Sequence, residues 1–274
     1  MTRTTFMLLQ LLLPTLLWGQ PKVVSEPTPV AVFSGQDRRL RITLHNPEPQ
    51  TFVGDLRTRL YQATSATTAP FRESEWKPIQ ILAGQTVVET ATFDFPLVRA
   101  QTPFLVQWLA GTNKVLGVTQ VLVYPPDLLK ELKPLAGDEP VGVFDPENQL
   151  KPLLKANKVD VVDLEDAGLE GFQGKLAILG PFRFREQMRE ALVSHIKTVA
   201  EKGVAIVWLQ PPPEKRQELM PSFFTVSEGK GAVVVVQADL IANLAESPQA
   251  QLNLVHLARA ACHPEPLTPP YPSP

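Results

Sequence analysis

The chain has 274 residues, enough for two ordinary domains that each bury a hydrophobic core. Its formal net charge of -2 provides no broad electrostatic attraction to nucleic acid or to an anionic membrane, so we expect neither as a partner. Cys262 is the only cysteine, which excludes an intramolecular disulfide; we interpret it as a bystander, with pairing between chains or a nucleophilic role as alternatives.

The N-terminus has the pattern of an export signal. Arg3 supplies a positive charge, and an apolar run from Phe6 to Trp18 follows it. The run is short for a membrane span of roughly 20 residues, and small Gly19 offers a cleavage point before Gln20. We therefore predict a signal peptide in residues 1–20 and an exported, periplasmic or extracellular protein with no membrane insertion after cleavage. An uncleaved anchor is the alternative.

Residues 21–125 alternate in hydrophobicity with period two, as strands do when one face lies on a core. Turn signals such as Asn46-Pro47 and Gly111-Thr112-Asn113 separate the alternating runs. This pattern predicts an immunoglobulin- or fibronectin-like β-sandwich without the disulfide of antibody domains. Seven strands are predicted, near Val30–Phe33, Leu40–Leu44, Phe52–Tyr61, Ile79–Ile81, Val87–Phe95, Phe104–Trp108 and Val115–Val123.

Four aromatic residues of this domain are candidates for a sugar-stacking platform: Tyr61, Phe71, Trp76 and Trp108. Trp108 stands in the middle of an alternating strand, so we predict that it belongs to the core. Trp76 follows the polar stretch Arg72-Glu73-Ser74-Glu75, which predicts an exposed ring and makes it the better candidate.

A linker, residues 126–140, joins the two domains, and we expect Asp127 to cap a short helix within it. From residue 141 to 262 strands alternate with helices. The four consecutive apolar residues Val233–Val236 cannot alternate between a solvent-exposed and a buried face, so they predict a central parallel strand that is buried on both sides. The other strands are predicted at Val141–Phe144, Val159–Val162, Lys175–Leu179 and Val204–Leu209, and the helices from Leu150, from Arg185 to Lys202 and from Ser247.

This order predicts a doubly wound three-layer α/β domain, and it resembles the order of flavodoxin- or amidotransferase-like folds. Ligands of such folds bind beyond the carboxyl ends of the strands. We therefore predict a ligand pocket there, without catalytic residues, metal or cofactor, because no Gly-rich phosphate loop or nucleophile elbow is present and His195 falls on a helix surface. The pocket residues are Asp145, Glu147, Gly180, Phe182, Gln210, Gln237 and Asp239.

The carboxylates offer an alternative. Asp163, Glu165 and Asp166 follow the second strand of this domain, and Asp145 and Glu147 follow the first. A close pair could run acid–base hydrolysis or hold a hard cation. We favour the simpler interpretation, that these side chains cap helices and populate polar loops.

The segment Gly229-Lys230-Gly231-Ala232-Val233-Val234-Val235-Val236-Gln237-Ala238-Asp239-Leu240 resembles a stretch in large exported bacterial proteins associated with glycoside hydrolase family 2. In those proteins a sandwich domain similar to residues 25–124 precedes a class I glutamine amidotransferase-like domain. A degenerate domain of this kind also occurs in some β-galactosidases, where it assists trimer assembly. Here Gly180-Pro181 and Gln210-Pro211 stand where an active relative would have its cysteine elbow, so the resemblance implies a domain without its nucleophile.

Together these patterns predict an exported, non-catalytic two-domain protein of the bacterial cell envelope that binds a protein or glycan partner. The alternative is a hydrolase of glycosides or amides that uses Asp145 or Asp239 with a neighbouring carboxylate. A third interpretation is an envelope assembly component. In it the proline-rich tail, residues 263–274, is an extended arm rather than a disordered end. The oligomeric state is not predicted.

Overall fold

The computed structural model describes residues 20–24, 26–63, 67–188, 192–212, 223–228 and 231–264, with the side chains of residues 223, 224, 227 and 228 left aside. The predicted signal peptide before Gln20 and the tail after Pro264 lie outside these residues. None of the helices described is long and apolar enough to cross a membrane. The described residues fall into two compact units: one within Met1–Pro29, Arg39–Phe93 and Phe104–Gln120, the other within Val30–Arg38, Asp94–Pro103 and Val121–Pro274.

Antiparallel pairing dominates the first part of the chain. A three-stranded sheet has the order β1-β3-β6, and a five-stranded sheet has the order β2-β8-β7-β4-β5. Phe93 on β6 packs edge-on against Trp108 on β7, with ring centroids 5.7 Å apart. The strands are β1 (Lys22–Val23), β2 (Val30–Phe33), β3 (Asp37–His45), β4 (Phe52–Ala63), β5 (Thr68–Ile81), β6 (Thr86–Asp94), β7 (Thr102–Ala110) and β8 (Lys114–Tyr124).

The period-two prediction holds along these strands. Leu40, Ile42 and Leu44 are buried on β3 while their neighbours are more exposed. Trp108 is 1% exposed, which confirms its place in the core, and its indole Nε1 donates to Thr119 Oγ1 at 2.8 Å.

Strand β5 is much longer than the predicted Ile79–Ile81, because its polar half pairs with β4 all the way to Thr68. Hydrophobicity could not reveal that half, since β5 is an edge strand whose exposed residues carry charge and proline, devices that protect sheet edges. Arg57 and Arg59 of β4 pair with Glu73 of this half across the ladder.

The second part of the chain is a mixed α/β structure. A six-stranded sheet has the order β10-β9-β11-β12-β14-β13, parallel except for β13 at its edge. Its elements are a 3₁₀ turn at Leu128–Glu131, α1 (Leu132–Leu135), β9 (Val141–Phe144), α2 (Leu150–Ala156), β10 (Val161–Asp163), α3 (Leu164–Ala167), β11 (Leu176–Leu179), a 3₁₀ turn at Arg185–Gln187, α4 (Leu192–Glu201), β12 (Ala205–Leu209), β13 (Phe223–Glu228), β14 (Gly231–Val236) and α5 (Pro248–Cys262).

Helices cover both faces of this sheet. Leu154 of α2 and Leu254 of α5 share one buried cluster with Val143 of β9, and Leu192 of α4 shares a second cluster with the next residue, Phe144. Adjacent strand residues thus enter opposite cores. This is why the run Val233–Val236 is buried throughout, as its unbroken hydrophobicity predicted.

Several predictions about elements were wrong. The antiparallel strand β13 was missed, because an edge strand with an exposed Val226 lacks the continuous apolar run of its neighbour β14. The second strand of the domain begins at Val161 rather than Val159, whose backbone N–H instead closes the turn after α2 by donating to Leu154 O at 3.0 Å.

The helix predicted from Arg185 to Lys202 is a 3₁₀ turn at Arg185–Gln187 and then α4 from Leu192; residues 189–191, within the predicted span, lie outside the described part. Asp127 does not cap the turn after it: its carboxylate makes no cap hydrogen bond and pairs with Lys130 at 2.9 Å.

Candidate functional site

The carboxyl ends of β9, β11, β12 and β14 meet at one edge of the six-stranded sheet. The register places Leu179 beside both Phe144 and Trp208, and Leu209 beside Val236. Because β10 lies on one side of β9 and β11 on the other, the chain reverses its direction of winding between β9 and β11. Such a reversal opens a crevice between the loops, and ligands of open α/β sheets bind there.

The crevice holds a cavity of about 630 Å³, formed entirely by the second unit. Of the seven predicted pocket residues, Gln210 and Asp239 line it. The sequence did not single out the other polar lining residues, Asn148, Gln149 and Arg183. They immediately follow two of the strands, which was the available signal. The remaining wall is apolar and consists of Pro152, Leu153, Pro181, Ile241, Ala242 and Ala245.

Asp145 is 1% exposed and does not line the cavity. Its carboxylate accepts three backbone hydrogen bonds from the start of α2: Gln149 N at 3.1 Å, Leu150 N at 2.8 Å and Lys151 N at 2.9 Å. The first N–H groups of a helix have no partner within it, so this side chain supplies one. Asp145 is thus a capping residue.

Glu147 is mostly buried and held by two donors. Arg183 Nε donates to its Oε2 at 2.9 Å, and Gln187 Nε2 donates to its Oε1. The amide oxygen of Gln187 accepts from the backbone N–H of Arg183 at 2.7 Å. These bonds tie the loop after β9 to the loop after β11, so Glu147 fixes one wall of the cavity.

Gly180 and Phe182 are also buried and do not line the cavity. Gly180 has φ 94, and its N–H donates to Phe144 O at 2.7 Å. A Cβ at this position would lie 2.2 Å from the carbonyl oxygen of Leu209, so the close approach of two strand ends requires glycine here. Phe182 is 1% exposed and stacks on Phe144 with ring centroids 5.8 Å apart.

Two of the remaining three predicted residues follow β14. Asp239 is exposed, and its Oδ1 accepts from the backbone N–H of Ala242 at 3.1 Å. Gln237 is half-buried and is not one of the lining residues. On the opposite side, Gln210 is held with φ 42 by a 2.7 Å bond from its N–H to Val236 O.

The acidic cluster after β10 is a salt-bridge cluster. Lys151 Nζ lies 2.8 Å from Asp163 Oδ2 and 2.8 Å from Glu165 Oε1, and Asp163 also caps α3 through Glu165 N at 3.0 Å. The hydrogen bond from Lys151 lowers the pKa of Asp163 against the opposing effect of burial. Burial works to lower the pKa of Lys151, but the two carboxylates raise it overall. Asp166 is exposed.

The residues left as candidates for nucleophile or metal chemistry stand apart. Burial raises the pKa of the Cys262 thiol, which disfavours the reactive thiolate, and Sγ lies 3.6 Å from Leu135 O. His195 Nε2 lies 3.3 Å from Glu170 Oε2 at the surface. Within the described residues no group of three or more His, Cys, Asp or Glu is placed to hold a metal ion.

Neither a protein-family model nor a curated protein matches the sequence. Solved structures resemble parts of it. The Pseudomonas fluorescens alkylpurine DNA glycosylase AlkC bound to DNA containing an abasic site analog is 14% identical, with a TM-score of 0.31 over 39% of this chain and 31% of its own. A β-glucosidase from Listeria innocua in complex with gluconolactone is 13% identical, with a TM-score of 0.29 over 39% of this chain and 16% of its own. The sporulation control protein Spo0M from Bacillus subtilis is 14% identical, with a TM-score of 0.30 over 43% of this chain and 56% of its own.

Proposed function

We propose that this chain is an exported, non-catalytic two-domain binding protein of the bacterial cell envelope, with a protein or glycan as its partner. In this proposal an immunoglobulin- or fibronectin-like sandwich precedes a flavodoxin- or amidotransferase-like domain that lacks a nucleophile. The ligand or partner contacts the cavity at the carboxyl edge of the six-stranded sheet.

The proposal rests on the hydrogen bonds and ion pairs that already occupy the acids at that edge. Asp145 caps α2, Glu147 is bound by Arg183, and Asp163 is bound by Lys151. General acid–base hydrolysis needs two carboxyl groups facing one reacting bond. Here the acids bind backbone or cationic donors instead. Among the described residues that line this cavity, Asp239 then carries the one carboxylate.

Topology supports the finer fold assignment. When the five parallel strands of the six-stranded sheet are numbered along the chain, their order is 2-1-3-4-5, which is typical of flavodoxin-like sheets, and helices lie on both faces. In the first part of the chain, buried Phe93 and Trp108 join two mainly antiparallel sheets, an arrangement typical of sandwiches.

A substrate panel tests the absence of catalysis. We expect the purified mature chain to release no chromophore above the buffer rate from 4-nitrophenyl glycosides, 4-nitrophenyl esters and amino-acid 4-nitroanilides. Turnover that disappears in Asp239→Asn, at unchanged circular dichroism, would establish the hydrolase alternative instead.

Two further measurements test the binding role and the export. Ala242 lines the cavity and is exposed, so Ala242→Trp should fill the space without disturbing the core, whereas Glu201→Trp lies outside the lining and is the matched control. Envelope material captured by the wild type and by Glu201→Trp should be lost with Ala242→Trp; equal capture by all three would exclude the cavity. For export, N-terminal sequencing of secreted protein should begin at Gln20 or Pro21, and a retained Met1 would contradict cleavage.

A further inference from the structure

Strand β5 contains two β-bulges, and the extra residue of each is aromatic. Lys77 pairs with Leu56 of β4 and Glu75 pairs with the next residue, Arg57, so Trp76 has no partner on β4. Likewise, Arg72 pairs with Leu60 and Pro70 pairs with Tyr61, so Phe71 has no partner on β4. A bulge adds one residue to a strand and re-aims its side chain, and bulges are frequent beside functional sites.

Both re-aimed rings pack against rings of β7, a strand of the same five-stranded sheet. Trp76 packs on Trp108 with ring centroids 5.2 Å apart, and Phe71 packs edge-on against Phe104 at 6.2 Å. Phe104 and Trp108 are four residues apart on β7, so the two outer rings are separated by about 13 Å along the strand. Phe71 is 43% exposed, whereas Trp76, predicted to be exposed, is half-buried.

A cavity of about 530 Å³ opens beside Trp76, within the first unit. Its polar lining residues include Asp55, Arg57, Glu75 and Lys77, two acids and two bases whose charges cancel. Arg57 is held loosely, with its two nearest carboxylate oxygens, on Glu73 and Glu75, both 3.4 Å away. The Lys77 ammonium lies 5.6 Å from the centroid of the Trp76 ring.

We infer that this cavity and the ring of Phe71 form a binding site for a neutral oligosaccharide. An aromatic side chain presents a large apolar surface to the C–H face of a pyranose, and planar carboxylate and guanidinium groups exchange hydrogen bonds with its hydroxyls. The cancelling charges favour a neutral ligand over a polyanion. The separation of the two rings favours a chain of several sugars over a monosaccharide.

The inference goes beyond the proposed function, because it adds a second site and names its ligand class. It rests on the proposed function only in giving the chain a binding role. The site uses residues of the first unit alone. Hydrolysis of the substrate panel would therefore overturn the non-catalytic proposal and leave this site in place. Failure of oligosaccharide binding, with envelope capture still lost in Ala242→Trp, would overturn this site alone.

Isothermal titration calorimetry on the full mature chain tests the site. The probes are cellohexaose, xylohexaose, mannohexaose, laminarihexaose and chitohexaose, with glucose and polygalacturonate for comparison. We expect at least one hexasaccharide to bind, and the monosaccharide and the polyanion to bind at least about tenfold more weakly. No binding of any hexasaccharide, or binding of polygalacturonate alone, would overturn the inference.

Three variants locate the binding. Trp76→Ala should weaken it about tenfold and Phe71→Ala about threefold, while Val53→Ala, which removes an exposed apolar side chain outside the cavity lining, should leave it unchanged. Because Trp76 packs on Trp108, Trp76→Ala could unfold the unit. Phe71→Ala, whose ring is more exposed, then decides. Unchanged affinity in the folded aromatic variants would show that the ligand binds elsewhere.

Discussion

Replacing Asp145 distinguishes a cap from a catalytic acid. Asp145→Ala removes the acceptor of three backbone N–H groups at the start of α2. The N–H of buried Leu150 is left without a partner, which costs about 2 kcal/mol, whereas water can reach those of half-buried Gln149 and Lys151 at about 0.5 kcal/mol each. The total, about 3 kcal/mol, exceeds the usual loss of an N-cap because three donors depend on one side chain.

Equilibrium urea unfolding, followed by far-UV circular dichroism, measures this loss as a lower midpoint for the second unit. Asp239→Ala is the matched control, because this exposed carboxylate accepts a single 3.1 Å bond, and we expect it to cost about 0.5 kcal/mol. The loss in Asp145→Asn should fall between those of Asp145→Ala and Asp239→Ala, because the amide keeps one acceptor oxygen but replaces the other with an NH₂ group that cannot accept the remaining N–H bonds. If Asp145→Ala unfolds within 0.5 kcal/mol of the wild type, the capping role is wrong.

Two other substitutions test the second unit. Lys151→Met should destabilise the chain by about 1 kcal/mol at neutral pH. The pKa of Asp163 in the folded chain is lowered from 3.8, so its ion pair stabilises the fold above pH 3.8 and this stabilisation is lost as the pH falls through the folded pKa. The unfolding midpoints of variant and wild type should therefore converge in acid, and a difference that stays constant with pH would refute the pairing. Gly231→Ala should lower the free energy of unfolding, measured by thermal unfolding, by more than about 2 kcal/mol, because its Cβ would lie 2.5 Å from the backbone oxygens of both Ala200 and Val204. The control is Gly111→Ala, where φ is 58 but nothing lies within 4 Å of the added Cβ, and an equal Tm for the two variants would contradict this prediction.

The strongly buried elements were predictable because their sequence period is set by burial alone. The alternation of Leu40, Ile42 and Leu44 indicated β3, and the unbroken run ending at Val236 indicated that β14 is an interior strand, buried on both faces of a helix-covered sheet. Elements whose stability comes from a neighbour were not predictable. The polar half of β5 is a strand because Glu73 and its neighbours pair with β4, and β13 is a strand because it pairs with β14.

The candidate site divides in the same way. Strand ends could be located from sequence, because parallel strands bring their carboxyl ends to one edge. The role of each acid could not be predicted from sequence, because Asp145 and Asp239 both follow strands. They differ in their tertiary surroundings: Asp145 accepts three N–H groups at the start of α2, whereas Asp239 accepts a single N–H and lines the cavity.

The sequence by itself determined that a strand-rich half precedes a half of alternating strands and helices, since hydrophobic period depends only on which residues are buried. The tertiary structure alone decided which loops enclose the 630 Å³ cavity and which acids form ion pairs with Lys151 and Arg183. It also decided that bulges place Trp76 and Phe71 outside the pairing of β5 with β4. Those outcomes depend on register and on contacts between residues far apart in the chain, which no local pattern encodes.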